Sequence, residues 1–243
     1  MQQIEIGNQL IDYEVIRTDR KTLGISLDKD KKLTVRSPKK AEDEWIKKVL
    51  KKKTSWILDK LSEVDKIKPA PKPKEFLSGE KLPYLGRRYR LKVRPDDEIN
   101  SVEVKLYHGK FIINCPSTTY NNDSERIEKI RESLIEWYRE HAKRKIKERV
   151  EKYKEQLDVE PNNVVIKKQK KRWGSCSSKD NLNFNLKIIM APMTIVDYLV
   201  VHELTHLKHN NHSKEFWKTV ESIIPDYEER LKWLKINGRQ MDF

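Results

Sequence analysis

The chain has 243 residues, 36% of them hydrophobic and 37% charged, with 52 Lys+Arg against 38 Asp+Glu and a formal net charge of +14. That length can bury a sizeable core in one or two domains. No apolar run approaches the roughly 18 residues of a membrane span, and the opening Met-Gln-Gln-Ile-Glu-Ile lacks the basic start and apolar stretch of a secretory signal.

Cys115 and Cys176 form no C-x-x-C pair and suggest no disulfide framework, which points to a reducing cytoplasm. The positive charge points to an anionic partner such as nucleic acid or a nucleotide; lysines interleaved with acids along helices describe a solvated surface equally well.

Residues 9–38 read as three alternating strands, around Asp12–Arg17, Leu23–Leu27 and Lys32–Arg36, closed by Pro38. A helix is expected from Glu42 to Glu63, with Trp45, Ile46, Val49, Leu50, Trp56, Ile57 and Leu61 as its apolar stripe and Lys47, Lys48, Lys51, Lys52 and Lys53 as a solvated face. Lys68-Pro-Ala-Pro-Lys-Pro-Lys74 is an extended connector. Residues 76–120 repeat the opening pattern: Tyr89–Arg94, Val102–Leu106, a His108-Gly109 turn and Lys110–Asn114 echo the first three strands. A long helix follows from Ser124 to Leu157, its apolar residues spaced three and four apart, with Asn122 or Ser124 as cap. Residues 162–190 read as a hairpin with a turn-rich middle, and Thr194-x-x-Asp197 as a capping-box variant. The expected class is α+β: βββα-type N-terminal units, a small antiparallel hairpin and a helical, zincin-like metal-site unit. The expected divisions are 1–75, 76–120 and 121–243.

The chemistry centres on Tyr198-Leu-Val-Val-His202-Glu203-Leu-Thr-His206-Leu-Lys-His209-Asn-Asn-His212. In a helix His202 and His206 lie four apart on one face, so both can reach one Zn²⁺ at roughly 2.0–2.1 Å. Glu203 then suits the general base of a metallohydrolase. His209 would lie about 10 Å of rise from His202, too far to share a metal. His212 comes within reach if the helix ends near His209 and turns at Asn210-Asn211, Asn being tolerant of left-handed backbone. His202, His206 and His212 are therefore the expected ligands, with Glu221 or Glu228 as alternative third donors and His209 as an exposed last-turn group.

Arg172-Trp-Gly-Ser-Cys-Ser-Ser, Leu182-Asn-Phe-Asn, Asp197-Tyr-x-Val-Val-His-Glu-Leu-x-His and Asn211-His-Ser-x-x-Phe-Trp217, with Thr22-Leu-Gly-Ile and Tyr84-Leu-Gly-Arg-Arg-Tyr89 upstream, resemble the YgjP-like metallopeptidase family over about residues 10–235. The resemblance implies a zincin-like unit related in motif to SprT-like proteases, with His202, His206 and His212 as zinc ligands and Glu203 as catalytic glutamate. It also implies a peptide or protein substrate.

The leading expectation is a cytoplasmic zinc metallopeptidase. A strand at 163–170 is the candidate for β-addition of substrate, and Arg172 is a candidate oxyanion or substrate contact. Trp173 and Cys176 read as packing. One alternative is a metal-dependent nucleoside triphosphate pyrophosphatase, with lysines 167, 168, 170 and 171 and Arg172 holding phosphates. Another is a nucleic-acid-associated protein with a metal site.

Overall fold

The computed structural model describes every residue except Met1, Asn8, Lys29 and Lys170. The chain divides into two compact units, residues 1–69 and 70–243. Each opens with a four-stranded sheet of the same design.

In the first unit the strands are β1 (Gln2–Ile6), β2 (Gln9–Thr18), β3 (Gly24–Leu27) and β4 (Leu33–Pro38), in spatial order β1-β2-β4-β3. β1 and β3 pair antiparallel with β2 and β4, while β2 and β4 run parallel, Tyr13 opposite Leu33. Alternation sends Ile4, Ile6, Ile11, Tyr13, Leu33 and Val35 to one buried face. The expected single helix is two, α1 (Asp43–Lys52) and α2 (Thr54–Asp65). At the break the Thr54 hydroxyl donates to the Lys51 carbonyl at 2.7 Å, a side-chain bond that competes with continued helix. Only Ile46, Leu50 and Ile57 of the expected stripe are buried; Trp45 and Trp56 face solvent.

In the second unit β5 (Lys81–Tyr84), β6 (Arg87–Asp96), β7 (Glu103–Tyr107) and β8 (Lys110–Pro116) lie in order β5-β6-β8-β7, with β6 and β8 parallel. Each sheet thus carries one strand more than its pattern announced. β1 offers only two apolar residues, and β5 contains Pro83, which a sheet accepts at an edge. Leu85 and Gly86 both take positive φ, the primed turn that a two-residue hairpin needs. A short α3 (Ser117–Tyr120) leads to α4 (Asp123–Leu157), capped by Asn122, whose side chain accepts from the Glu125 amide. Ile130, Leu134, Tyr138, Ala142, Ile146, Val150, Tyr153 and Leu157 of α4 are all buried.

β9 (Asn163–Lys167), β10 (Gly174–Cys176) and β11 (Asn181–Asn185) form a sheet in order β10-β11-β9. The antiparallel hairpin is β10–β11, and β9 runs parallel to β11. The stretch expected as turn supplies a strand of its own, which reverses the chain once more. A 3₁₀ turn (Leu186–Met190), α5 (Met193–Thr205), α6 (Lys214–Ile223) and α7 (Tyr227–Asn237) complete the unit. Among the described residues no helix is long and apolar enough to cross a membrane.

Candidate metal centre

α5 is apolar on nearly every side, and Ile195, Val196, Tyr198, Leu199, Val200, Val201 and Leu204 are buried. Such a helix is stable only where neighbours cover all its faces. Its start is set from two sides. The Leu85 and Gly86 amides of the β5–β6 turn donate to the Ile189 and Met190 carbonyls at 2.9 and 3.1 Å. A Cβ on Gly86 would lie 3.0 Å from the Pro192 Cα, so that turn packs directly against the helix entry. Asp197 does not close a capping box. It turns toward α4 and accepts from Arg149 Nε at 2.5 Å and Nη2 at 2.9 Å, because a buried carboxylate gains more from a two-pronged guanidinium than from a helix end that Pro192 already opens.

The helix ends at Thr205, earlier than expected. The amides of Leu207, Lys208 and His209 fold back onto the Leu204 and Thr205 carbonyls. Neither Asn210 nor Asn211 takes left-handed backbone. Instead the Asn211 side chain accepts from the Ser213 amide, and Ser213 in turn caps α6 through the Phe216 amide. This tight passage returns His212 to α5.

The donor atoms of His202, His206 and His212 all lie within 4.8 Å of one another. His202 Nε2 and His212 Nε2 are 3.1 Å apart. Two nitrogens bound tetrahedrally to one zinc would be separated by about 3.3 Å. Neither Glu221 nor Glu228 belongs to the cluster. Phe216, fully buried, underlies it with ring centroids 5.0, 4.6 and 4.8 Å from those of His202, His206 and His212. Trp217 stacks on His212, and Tyr227 on Trp217.

The electrostatics suit a cation. Burial, reinforced by the other two histidines, depresses the His202 pKa to about 3, and burial also lowers that of His206. Both imidazoles are therefore neutral and keep a lone pair. The Glu203 carboxyl is pushed up to about 8 by burial, against the opposing pull of Arg172 and the Cys176 amide. Its Oε2 is buried with no partner in the protein. An orphaned carboxylate oxygen beside three convergent nitrogens fits a divalent ion with a small reactant next to it.

Glu203 lies against β10. A Cβ on Gly174 would come within 2.4 Å of its Oε1. Gly174 was read only as part of a turn-rich motif; once its stretch is a strand, an isolated glycine there is the ordinary signal of close approach. Phe216 stands in the motif Asn211-His-Ser-x-x-Phe-Trp217, and no sequence signal marks it as the floor of the cluster. Asn185 ties the neighbouring loop by donating to the Gln169 and Arg172 carbonyls at 2.8 and 3.1 Å. Arg172 is exposed and acts electrostatically on Glu203; Lys167 at the end of β9 and Lys168 and Lys171 of the loop after it are exposed, and Lys170 lies outside the described residues. β9, the expected peptide-binding strand, occupies the far edge of the sheet, because β11 separates it from β10. His209 is half-buried rather than exposed, its ring bonded to Thr219 of α6.

The YgjP-like family, in its metallopeptidase domain, matches residues 21–237. Among solved structures, the chain is similar to the metallopeptidase zymogen abylysin of Pyrococcus abyssi, at 23% identity over 40% of this chain and 99% of that one, with a TM-score of 0.36. It is also similar to the metallopeptidase zymogen jannalysin of Methanocaldococcus jannaschii, at 27% identity over 39% and 95%, with a TM-score of 0.34. A search of curated proteins finds no match.

Proposed function

Because the chain belongs to the YgjP-like metallopeptidase family, in which a divalent metal is implied, we propose that it is a zinc peptidase of zincin-like design, with His202, His206 and His212 as ligands and Glu203 as general base. The observation that carries this reading is the convergence of three imidazoles on one point, with a buried, half-partnered carboxylate one residue from the first of them. An all-imidazole set suits zinc better than magnesium or calcium, which prefer oxygen donors. When bound, the zinc would lower the pKa of a water toward about 7 and polarise the scissile carbonyl.

The protein's own groups do the rest. His206 Nδ1 bonds to the His209 carbonyl at 3.0 Å. A carbonyl only accepts, so Nδ1 carries the proton and Nε2 is left free as donor to the metal. Glu203 takes a proton from the attacking water and delivers it to the leaving amine. Its raised pKa suits both halves of that exchange near neutral pH, and an adjacent cation would draw it down.

The substrate strand belongs on β10. The Trp173 carbonyl and Ser177 amide are both spent on β11, so alternation turns the backbone groups of Gly174 and Cys176 to the opposite, Glu203-facing edge. A peptide added there would cross the reacting centre. We assign to Arg172, exposed at the entrance to β10 and felt electrostatically by Glu203, the contact with the substrate carbonyl oxygen.

Glu203→Gln tests the assignment. Zinc should remain bound at wild-type stoichiometry while cleavage of casein or a peptide library falls by about 10²–10⁴-fold. Hydrolysis that survives the change at its original rate would remove Glu203 from the role of base.

A further inference from the structure

The proposed ligand His206 is held by a chain of contacts that runs through His209 to α6. His206 Nδ1–H donates to the His209 carbonyl at 3.0 Å. The ring of His209 does not point away into solvent; its Nε2 lies 3.1 Å from the Thr219 hydroxyl oxygen. That hydroxyl has a single proton, and it is given to the Glu215 carbonyl at 2.9 Å. The Thr219 oxygen must therefore accept from His209, whose Nε2 carries the proton. Each link has its direction fixed by the next: Glu215 carbonyl, Thr219 hydroxyl, His209 ring, and, through the same residue's backbone, His206.

We propose that Thr219 and His209 form a clamp that sets the metal affinity of this site, by fixing the His209 carbonyl and through it the tautomer and ring angle of His206. Two features make the clamp consequential. α5 has already ended at Thr205, so His209 sits in a connecting turn with no helix ladder to hold its carbonyl. Thr219 lies on α6, the helix that carries Phe216 beneath the three imidazoles, so the clamp also keeps the turn registered on that floor. Thr219 and His209 are positioning residues; neither donates to the cluster.

The inference rests on the three-histidine reading, and the test separates the two. The full chain is stripped of metal and titrated with Zn²⁺ against a chromophoric chelator, with apo melting temperatures recorded by circular dichroism. Thr219→Val keeps the shape and removes the acceptor; His209→Phe keeps a ring and removes the donor. Both should weaken zinc binding by about 10- to 100-fold while Thr219→Ser, which restores the hydroxyl, stays within about twofold of wild type. Should Thr219→Val fail to fold, His209→Phe and Thr219→Ser carry the comparison. Affinities unchanged in His209→Phe and in any folded Thr219→Val overturn the clamp. If His206→Ala also binds zinc as the wild type does, the ligand assignment itself is what fails.

Discussion

Glu203 illustrates how much of this site depends on what surrounds a side chain. Its pKa is raised because β10 and α5 close over it, and it fits there only because residue 174 has no side chain. A methyl at that point meets the Glu203 side chain at Oε1, Cδ and Cγ, so Glu203 must swing away from its present position. Misplacement of a reacting group by about 1 Å can cost about 10²-fold in rate. Gly174→Ala should therefore lower kcat by about that factor while leaving zinc affinity near that of the wild type, since the three imidazoles are untouched. Steady-state kinetics alongside metal titration would check this, and an unaltered kcat would show that the strand gives way instead.

α4 supports α5 in part through an ion pair. Arg149 and Asp197 form a two-pronged pair with side chains 18% and 12% exposed. Water screens such a pair weakly, and removing one partner strands a charge at a cost of roughly 3–5 kcal/mol. Asp197→Asn or Arg149→Met should lower the unfolding free energy, measured by denaturant titration, by an amount of that order. The double replacement Arg149→Met with Asp197→Leu should recover much of it, because no charge is then left unpaired. Additive losses in the double variant would mean the pair contributes little beyond its packing. The helices themselves were legible: the three-and-four spacing of Ile130 through Leu157 describes a buried stripe, and that stripe is buried. The partner of Asp197 was not, since Arg149 lies 48 residues earlier in the chain and nothing local couples the two.

For the whole molecule, the two units repeat one sheet plan while closing separate cores. Ile4, Ile6, Tyr13, Leu33, Val35, Ile46, Leu50 and Ile57 pack among themselves in the first. The second core, from Phe76 to Phe243, includes the buried residues of α4, α5 and α6. A fragment of residues 70–243 carries every group assigned here to the site. It should fold cooperatively and bind zinc within about tenfold of the full chain. Loss of cooperative unfolding in that fragment would show that residues 1–69 supply something its core lacks.

What the sequence determined by itself was periodic or local. His202 and His206 face the same way because a helix turns once in about 3.6 residues, and three of the four strands in each four-stranded sheet show in two-residue alternation. The family motifs likewise are local runs, and they mark segments without saying what each does. The grouping of His212 with His202 and His206 was expected from the sequence; tertiary structure alone decided the approach of Gly174 to Glu203, the floor made by Phe216, and the half-buried bond from His209 to Thr219. It also turned Trp45 and Trp56 outward. The division has a physical cause: backbone geometry repeats with residue number, so its consequences can be counted along the chain. Contacts between distant segments depend on where turns end and which neighbours fill the space, and no count of residues contains that.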